Sequence, residues 1–177
     1  RMTRIRGTKG EEIVYTYDAL GQVTSVTDGG GGKTTYAYTP TGKLKEVVDA
    51  QGNPTTYTYD ARDFLIEICQ KGEKEERITQ YEQDAFGQII AMRDGLGQEE
   101  RYAYDSLGRL VEKRDKEGYT TSWSYTPMGQ IGRIRYGDGR EVNYTYNLLG
   151  QLEGMKDWLG ETTLKWNEEG RISKITD

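Results

Sequence analysis

Ring-bearing and aliphatic residues recur along this chain with a fixed step. Tyrosine or tryptophan stands at Tyr15, Tyr36, Tyr57, Tyr81, Tyr102, Trp123 and Tyr144, at intervals of 21, 21, 24, 21, 21 and 21 residues. Two residues after each comes a second ring, at Tyr17, Tyr38, Tyr59, Tyr104, Tyr125 and Tyr146, with Trp166 in this place in a last unit shorter by one and Gln83 as the exception. An aliphatic column follows at Val23, Leu44, Leu65, Ile89, Leu110, Ile131, Leu152 and Ile172. Three residues on comes another, Val26, Val47, Ile68, Met92, Ile134, Met155 and Ile175, interrupted by Lys113. Self-similarity at such a period marks a repeat array, which has to be recognised before any other assignment.

The unit reads Tyr-x-Tyr-Asp-x-x-Gly-x-Leu-x-x-Val-x-Asp-x-x-Gly plus four linking residues. It holds two turn signals. An aspartate can bond main chain two residues on and open a type I turn, and glycine accepts the left-handed conformation that closes a tight hairpin. The first turn runs Asp18 to Gly21, Asp84 to Gly87 and Asp105 to Gly108, with Asn147 to Gly150 and Asn167 to Gly170 as variants. Thr39-Pro40-Thr41-Gly42 and Thr126-Pro127-Met128-Gly129 replace it in two units. In a third, Asp60-Ala61-Arg62-Asp63 lacks the glycine and relies on the tolerance of aspartate for positive φ. The second turn runs Asp28 to Gly31, Asp49 to Gly52, Asp94 to Gly97, Asp115 to Gly118 and Asp157 to Gly160. Turns every 10 or 11 residues between segments rich in Thr, Val, Ile and Tyr predict an all-β chain of tandem hairpins in a continuous, curved or spiralling antiparallel sheet. The run Glu73 to Glu76, at the three-residue insertion, is expected to be a longer hairpin loop.

Rings at i and i+2 share a face, and the residue between them is small or polar in most units. The Leu-x-x-Val spacing puts its two members on opposite faces of a perfect strand, so either a bulge intervenes or both faces are partly packed. A bulge is favoured because it also supplies curvature. The ladder of rings reads first as cross-strand packing and second as a sugar-binding platform. With 14 tyrosines against 2 phenylalanines, the hydroxyls are expected at a wet or hydrogen-bonded boundary. The aspartate columns read as turn chemistry before calcium sites. Glu99-Glu100 and Glu168-Glu169 read as solvated surface, Cys69 as a small packed hydrophobe, and Asn143-Tyr144-Thr145 matches a glycosylation acceptor pattern.

Composition narrows the function. The chain has 177 residues, 34% hydrophobic and 30% charged, with 23 glycines, one cysteine and no histidine. Histidine-based catalysis and metal ligation therefore cannot arise within it, and a lone cysteine forbids an internal disulfide. A net charge of -5 argues against a nucleic-acid backbone as partner. No apolar run approaches the ~18 residues of a membrane helix. No enzyme, metal or cofactor is expected.

The segments Tyr15-Thr16-Tyr17-Asp18-Ala19-Leu20-Gly21-Gln22-Val23 and Tyr102-Ala103-Tyr104-Asp105-Ser106-Leu107-Gly108-Arg109-Leu110 resemble the signature of the Rhs/YD-repeat family, and the likeness covers nearly the whole chain. That family includes bacterial Rhs polymorphic toxins, wall-associated proteins, toxin-complex B and C components and the animal teneurins. The resemblance implies a non-enzymatic β-shell, secreted or at the cell surface, that encloses a toxin domain or displays an adhesion surface for a carbohydrate or protein partner. The chain lacks the Asp-Pro step of the family's self-cleaving element, its prolines being Pro40, Pro54 and Pro127, so no cleavage residues carry over. With Met2 and Ile5 in the aliphatic columns and Gly10 in a second turn, residues 1–177 read as a single array of about eight units, entered and left within a repeat. Both ends are expected to leave strand edges open to the rest of a shell or to another copy.

Overall fold

A computed structural model describes residues 2–6 and 12–177. Gly10, expected in a second turn, lies outside the described residues, as does the side chain of Met2. Every regular element among the described residues is a strand. The chain divides into two compact units, residues 1–98 and 99–177.

Unit 1 is an antiparallel meander of β1 (Met2–Arg6), β2 (Glu12–Tyr17), β3 (Val23–Thr27), β4 (Lys33–Tyr38), β5 (Leu44–Val48), β6 (Pro54–Tyr59), β7 (Leu65–Lys71), β8 (Glu76–Gln83) and β9 (Ile89–Asp94). Unit 2 continues the same pattern with β10 (Glu99–Tyr104), β11 (Leu110–Arg114), β12 (Thr120–Tyr125), β13 (Ile131–Tyr136), β14 (Glu141–Tyr146), β15 (Leu152–Lys156), β16 (Glu161–Trp166) and β17 (Ile172–Thr176). Within each unit every strand pairs antiparallel with its neighbour in sequence. The all-β, tandem-hairpin antiparallel fold is thus the observed one.

The two hairpin types differ. At each first turn the register shifts by one residue. Tyr15 faces Val26 and Tyr17 faces Val23, so Thr24 is left over on the outgoing strand. The same shift recurs in β4–β5, β6–β7, β8–β9, β10–β11, β12–β13, β14–β15 and β16–β17. This is the bulge that Leu-x-x-Val required: it brings both aliphatic columns onto the face of the rings, each ring directly opposite one of them. The second turns join unbulged ladders, three pairs long in β3–β4, β5–β6, β11–β12, β13–β14 and β15–β16. The inserted residues lengthen β7 and β8 into a five-pair ladder closed by the loop 72–75, where Gly72 N–H donates to the Glu75 carbonyl at 2.8 Å.

A shared loop geometry explains the Asp-x-x-Gly marks. Asp18 N–H donates to the Gln22 carbonyl and Gly21 N–H donates to the Asp18 carbonyl, a type I turn closed by a left-handed residue, with Gly21 at φ 86°. Asp18 Oδ1 accepts the N–H groups of Leu20 and Gln22, both at 2.9 Å. Asp63, standing where the other units have glycine, takes φ 63°. Two second turns depart from the expected pattern. Tyr136 occupies the aspartate position of a further turn, closed by Gly139 at φ 87°. At Asp157 to Gly160 the missing residue of the last unit has shortened the loop: Asp157 N–H donates to Gly160 itself, and Gly160 is not in the left-handed region.

No thick core forms. Among the described residues only Ser25, Cys69, Ala91, Val142 and Gly154 are buried, and the rings of the Tyr-x-Tyr positions are half-buried.

Candidate functional site

The aromatic face carries the most regular chemistry of the chain, and its two columns behave differently. Rings of the first column, Tyr36, Tyr57, Tyr81, Tyr102, Trp123 and Tyr144, stand opposite Val47, Ile68, Met92, Lys113, Ile134 and Met155. They supply bulk. In the last unit Leu164 takes this place opposite Ile175.

The second column supplies a donor. Tyr38 hydroxyl donates to the Val23 carbonyl at 2.8 Å, Tyr59 to Leu44 at 2.7 Å, Tyr125 to Leu110 at 2.7 Å and Tyr146 to Ile131 at 2.8 Å. In each case the acceptor is the first aliphatic of the preceding repeat. Trp166 Nε1–H reaches the Leu152 carbonyl at 2.7 Å, and Gln83 Nε2–H the Leu65 carbonyl. Gln83 is therefore no exception: tyrosine, tryptophan and glutamine all place an N–H or O–H on the same main-chain oxygen. The geometry explains the need. The ladder between β3 and β4 covers Ser25 to Thr27, so the Val23 carbonyl beyond it has no strand to meet. A buried main-chain acceptor left unpaired costs about 1–3 kcal/mol. Burial pushes the phenols of Tyr38, Tyr59 and Tyr146 above their ordinary pKa, and neighbouring negative or ionisable groups add to the effect.

Where Lys113 interrupts the aliphatic column, the face holds a charged cluster. Glu100 Oε2 accepts from the Tyr102 hydroxyl at 2.6 Å and lies 2.9 Å from Lys113 Nζ. The ammonium also stands 5.7 Å from the centre of the Tyr102 ring. These bonds, Tyr102 first, hold the Glu100 carboxyl below its usual pKa. Glu100 is therefore not the solvated surface carboxylate expected from its sequence neighbourhood. Glu99 is half-buried and pairs with Arg101, whereas Glu168 and Glu169 are exposed. Cys69 is buried and its thiol donates to Glu76 Oε1 at 3.0 Å, which, with burial, raises its pKa.

At the rim of first turns, Asp18, Asp60, Asp84 and Asp105 each spend Oδ1 on two loop N–H groups. The glycines that close first turns, Gly21, Gly42, Gly87, Gly108, Gly129, Gly150 and Gly170, all have positive φ. Successive turns touch: Gln22 Nε2–H donates to the Gly42 carbonyl at 3.1 Å, and the Arg109 guanidinium lies 4.4 Å from the centre of the Tyr125 ring while paired with Asp105 at 2.6 Å. The aspartate columns are thus bound into loop geometry. Among the described residues no group of three or more Cys, Asp or Glu side chains is placed to hold a metal ion.

Comparison with known families agrees with this architecture. Residues 1–33, 17–53 and 38–68 match the model of the RHS repeat, and residues 73–156 match that of the teneurin YD-shell. The chain belongs to the Rhs/YD-repeat family. No curated protein matches the chain. Among solved structures, it is similar to "TcdB2-TccC3-TEV" at 14% identity and TM-score 0.40, over 92% of this chain and 12% of that one. It is also similar to a Tc holotoxin pore of Photorhabdus luminescens at 13% identity and TM-score 0.39, over 99% and 14%. A porin-like protein from Bacteroides uniformis aligns at 10% identity and TM-score 0.41, over 99% and 92%. The chain thus spans about an eighth of the toxin chains it matches. Among the described residues no helix is long and apolar enough to cross a membrane.

Proposed function

We propose that these Rhs/YD repeats form a length of wall in a β-shell, acting outside the producing cell, whose work is to enclose a toxin domain. The observation that carries this reading is the second column, in which each repeat donates a side-chain hydrogen bond to the main chain of the repeat before it. Polar ends that could have faced a ligand are committed to joining hairpins, as expected of a partition. The same repeat runs through residues 1–177, which supports reading them as one array whose partners are the rest of the shell and the enclosed domain. The aromatic columns are correspondingly poor as a sugar platform, their rings half-buried and the donors of Tyr38, Tyr59, Tyr125, Tyr146 and Trp166 already engaged.

Limited proteolysis of the gene product that carries these residues tests the reading. An enclosed domain should resist cleavage until the wall is opened by Tyr59→Ala and Tyr146→Ala together; digestion at the same rate in both proteins would refute it. Self-association is a second proposed contact. β17 is exposed along its whole length, with Ile172 at 48% and Ile175 at 59% exposure. Open strands with apolar side chains pair readily, so sedimentation of the isolated residues 1–177 should show concentration-dependent association, and a strict monomer at high concentration would count against it.

A further inference from the structure

The turn pattern leaves its middle residues unspecified, and in unit 2 the two rims fill them differently. First turns present Leu107, Met128 and the pair Leu148-Leu149 at their tips, exposed to 75%, 66%, 97% and 82%. Second turns present Lys116-Glu117 and Asp138, and only the last of them, with Trp158 and Leu159, is apolar. The backbone of a type I turn asks for neither kind of side chain there. Apolar tips on consecutive turns of one rim therefore answer to something outside the turn. Standing two strands, about 9–10 Å, apart, they form an exposed apolar row of the kind that marks an interaction site. The row is bounded. The next first turn carries Glu168 and Glu169, and in unit 1 Thr41 and Arg62 interrupt the series between Leu20 and Phe86.

The same turns carry no net charge and keep their main chain bonded. Arg109 pairs with Asp105 at 2.6 Å, and the other two turns open on Thr126 and Asn147 where the common residue is aspartate. Asp105 Oδ1 accepts the N–H groups of Leu107 and Arg109, Asn147 Oδ1 accepts those of Leu149 and Gln151, and Pro127 has no N–H to satisfy. The N–H of each closing glycine goes to the carbonyl of the opening residue, and the Gly150 carbonyl accepts from Gln130 Nε2–H. Main chain that enters an apolar medium must have its polar groups satisfied within the protein. These hairpin ends are built that way.

Shape and charge select the medium. Single side chains spaced this widely offer a protein partner no groove to fill, whereas acyl chains pack round any outline. One residue in from the same rim, Lys165 and Lys174 face each other directly across β16 and β17, both exposed and neither in an ion pair among the described residues. Like charges so placed repel. A lipid phosphate between them relieves that repulsion.

We propose that the first-turn rim of unit 2 docks on the surface of a phospholipid bilayer, with the side chains of Leu107, Met128, Leu148 and Leu149 in the acyl boundary and Lys165 and Lys174 against headgroup phosphates. This contact is separate from the aromatic columns and does not rest on the wall reading.

Flotation of residues 1–177 with vesicles of phosphatidylcholine, with and without phosphatidylserine, tests it. The protein should float with both and bind more tightly where phosphatidylserine is present. Leu149→Ser should weaken binding about tenfold, the scale of one leucine withdrawn from an apolar phase. Lys165→Gln combined with Lys174→Gln should remove the gain from phosphatidylserine, and Leu159→Ser, on the opposite rim, should change nothing. Thermal melts check folding. A bimane label gives a second readout: on Met128→Cys its emission should shift to the blue on vesicles, and on Leu159→Cys it should not. Cys69 is buried with its thiol bonded to Glu76, so the label goes to the introduced thiol. No flotation with either vesicle, binding indifferent to Leu149→Ser, or equal shifts of the two labels would overturn the proposal. So would lipid-free association that Leu149→Ser abolishes, which would give the rim to a second copy.

Discussion

The two columns of the aromatic face sit two residues apart in every repeat and look interchangeable in composition, yet they do different work. The first, around Tyr57, fills space opposite an aliphatic side chain and accepts tryptophan or leucine. The second, around Tyr59, must deliver a hydrogen to a carbonyl beyond the end of the neighbouring ladder, and it accepts tryptophan or glutamine. The lesson is that a repeat position is defined by the vacancy its neighbours leave, which is bulk in one column and a donor in the other.

Separating the hydroxyl from the ring tests this difference most directly. Tyr59→Phe keeps the ring and strands the Leu44 carbonyl, so it is expected to cost about 1–2 kcal/mol in urea unfolding, while Tyr57→Phe should cost under about 0.5 kcal/mol. Equal effects would erase the distinction. Gln83→Leu should resemble Tyr59→Phe, because it removes a donor of a different kind from the same place.

Alkali tests the second column as a set. The folded phenols of Tyr38, Tyr59 and Tyr146 have raised pKa values, so the stabilising neutral form is fully present below the ordinary phenol value of about 10 and is lost as pH rises through the folded values. Stability should fall in that alkaline window, and ultraviolet titration should show a set of phenols ionising above the ordinary value. Ionisation of all phenols together at the ordinary value would contradict it.

Acid tests the one place where the first column carries charge. Glu100 has a lowered pKa, so its contribution is present above the ordinary glutamate value of about 4.3 and is lost as pH falls through the folded value. Denaturation midpoints between pH 5 and 3 should drop less steeply in Lys113→Met, which removes part of what lowers that pKa. Identical pH profiles would refute the coupling.

The smallest effect is expected at the turns. Asp63→Gly relieves a left-handed aspartate but removes the acceptor of the 3.0 Å bond from Thr41 Oγ1, so the net change should stay within about 1 kcal/mol. A larger loss would mean that the contact between turns outweighs the backbone term.

Much of the fold was legible because the period of the sequence is the period of the structure. Turn residues at Asp18 and Gly21, and the bulge demanded by the spacing of Val23 and Val26, follow from local rules that the strand geometry obeys. What escaped depended on partners far along the chain. Gln83 looked like a lapse when rings were counted, since its acceptor at Leu65 is set by how two hairpins diverge. Lys113 and Glu100 looked like separate irregularities, and only the register through the bulge brings them together. The turn at Tyr136 was invisible because its opening residue is not an aspartate, and Gly160 kept the expected spacing while a one-residue deletion changed the loop around it. The apolar rim of unit 2 had no motif to announce it, for Leu107, Met128 and Leu149 fall at the turn position where the repeat sets no rule.

The staples of the second column also give the sheet a direction in time. Each donor reaches back to a carbonyl already made, so a chain emerging from the ribosome amino end first presents every hairpin unfinished until its successor arrives. Val23 waits for Tyr38, and Leu152 waits for Trp166. Synthesis would then complete the wall one repeat behind the growing end, leaving a single open acceptor at the front at any moment instead of a whole unsatisfied edge.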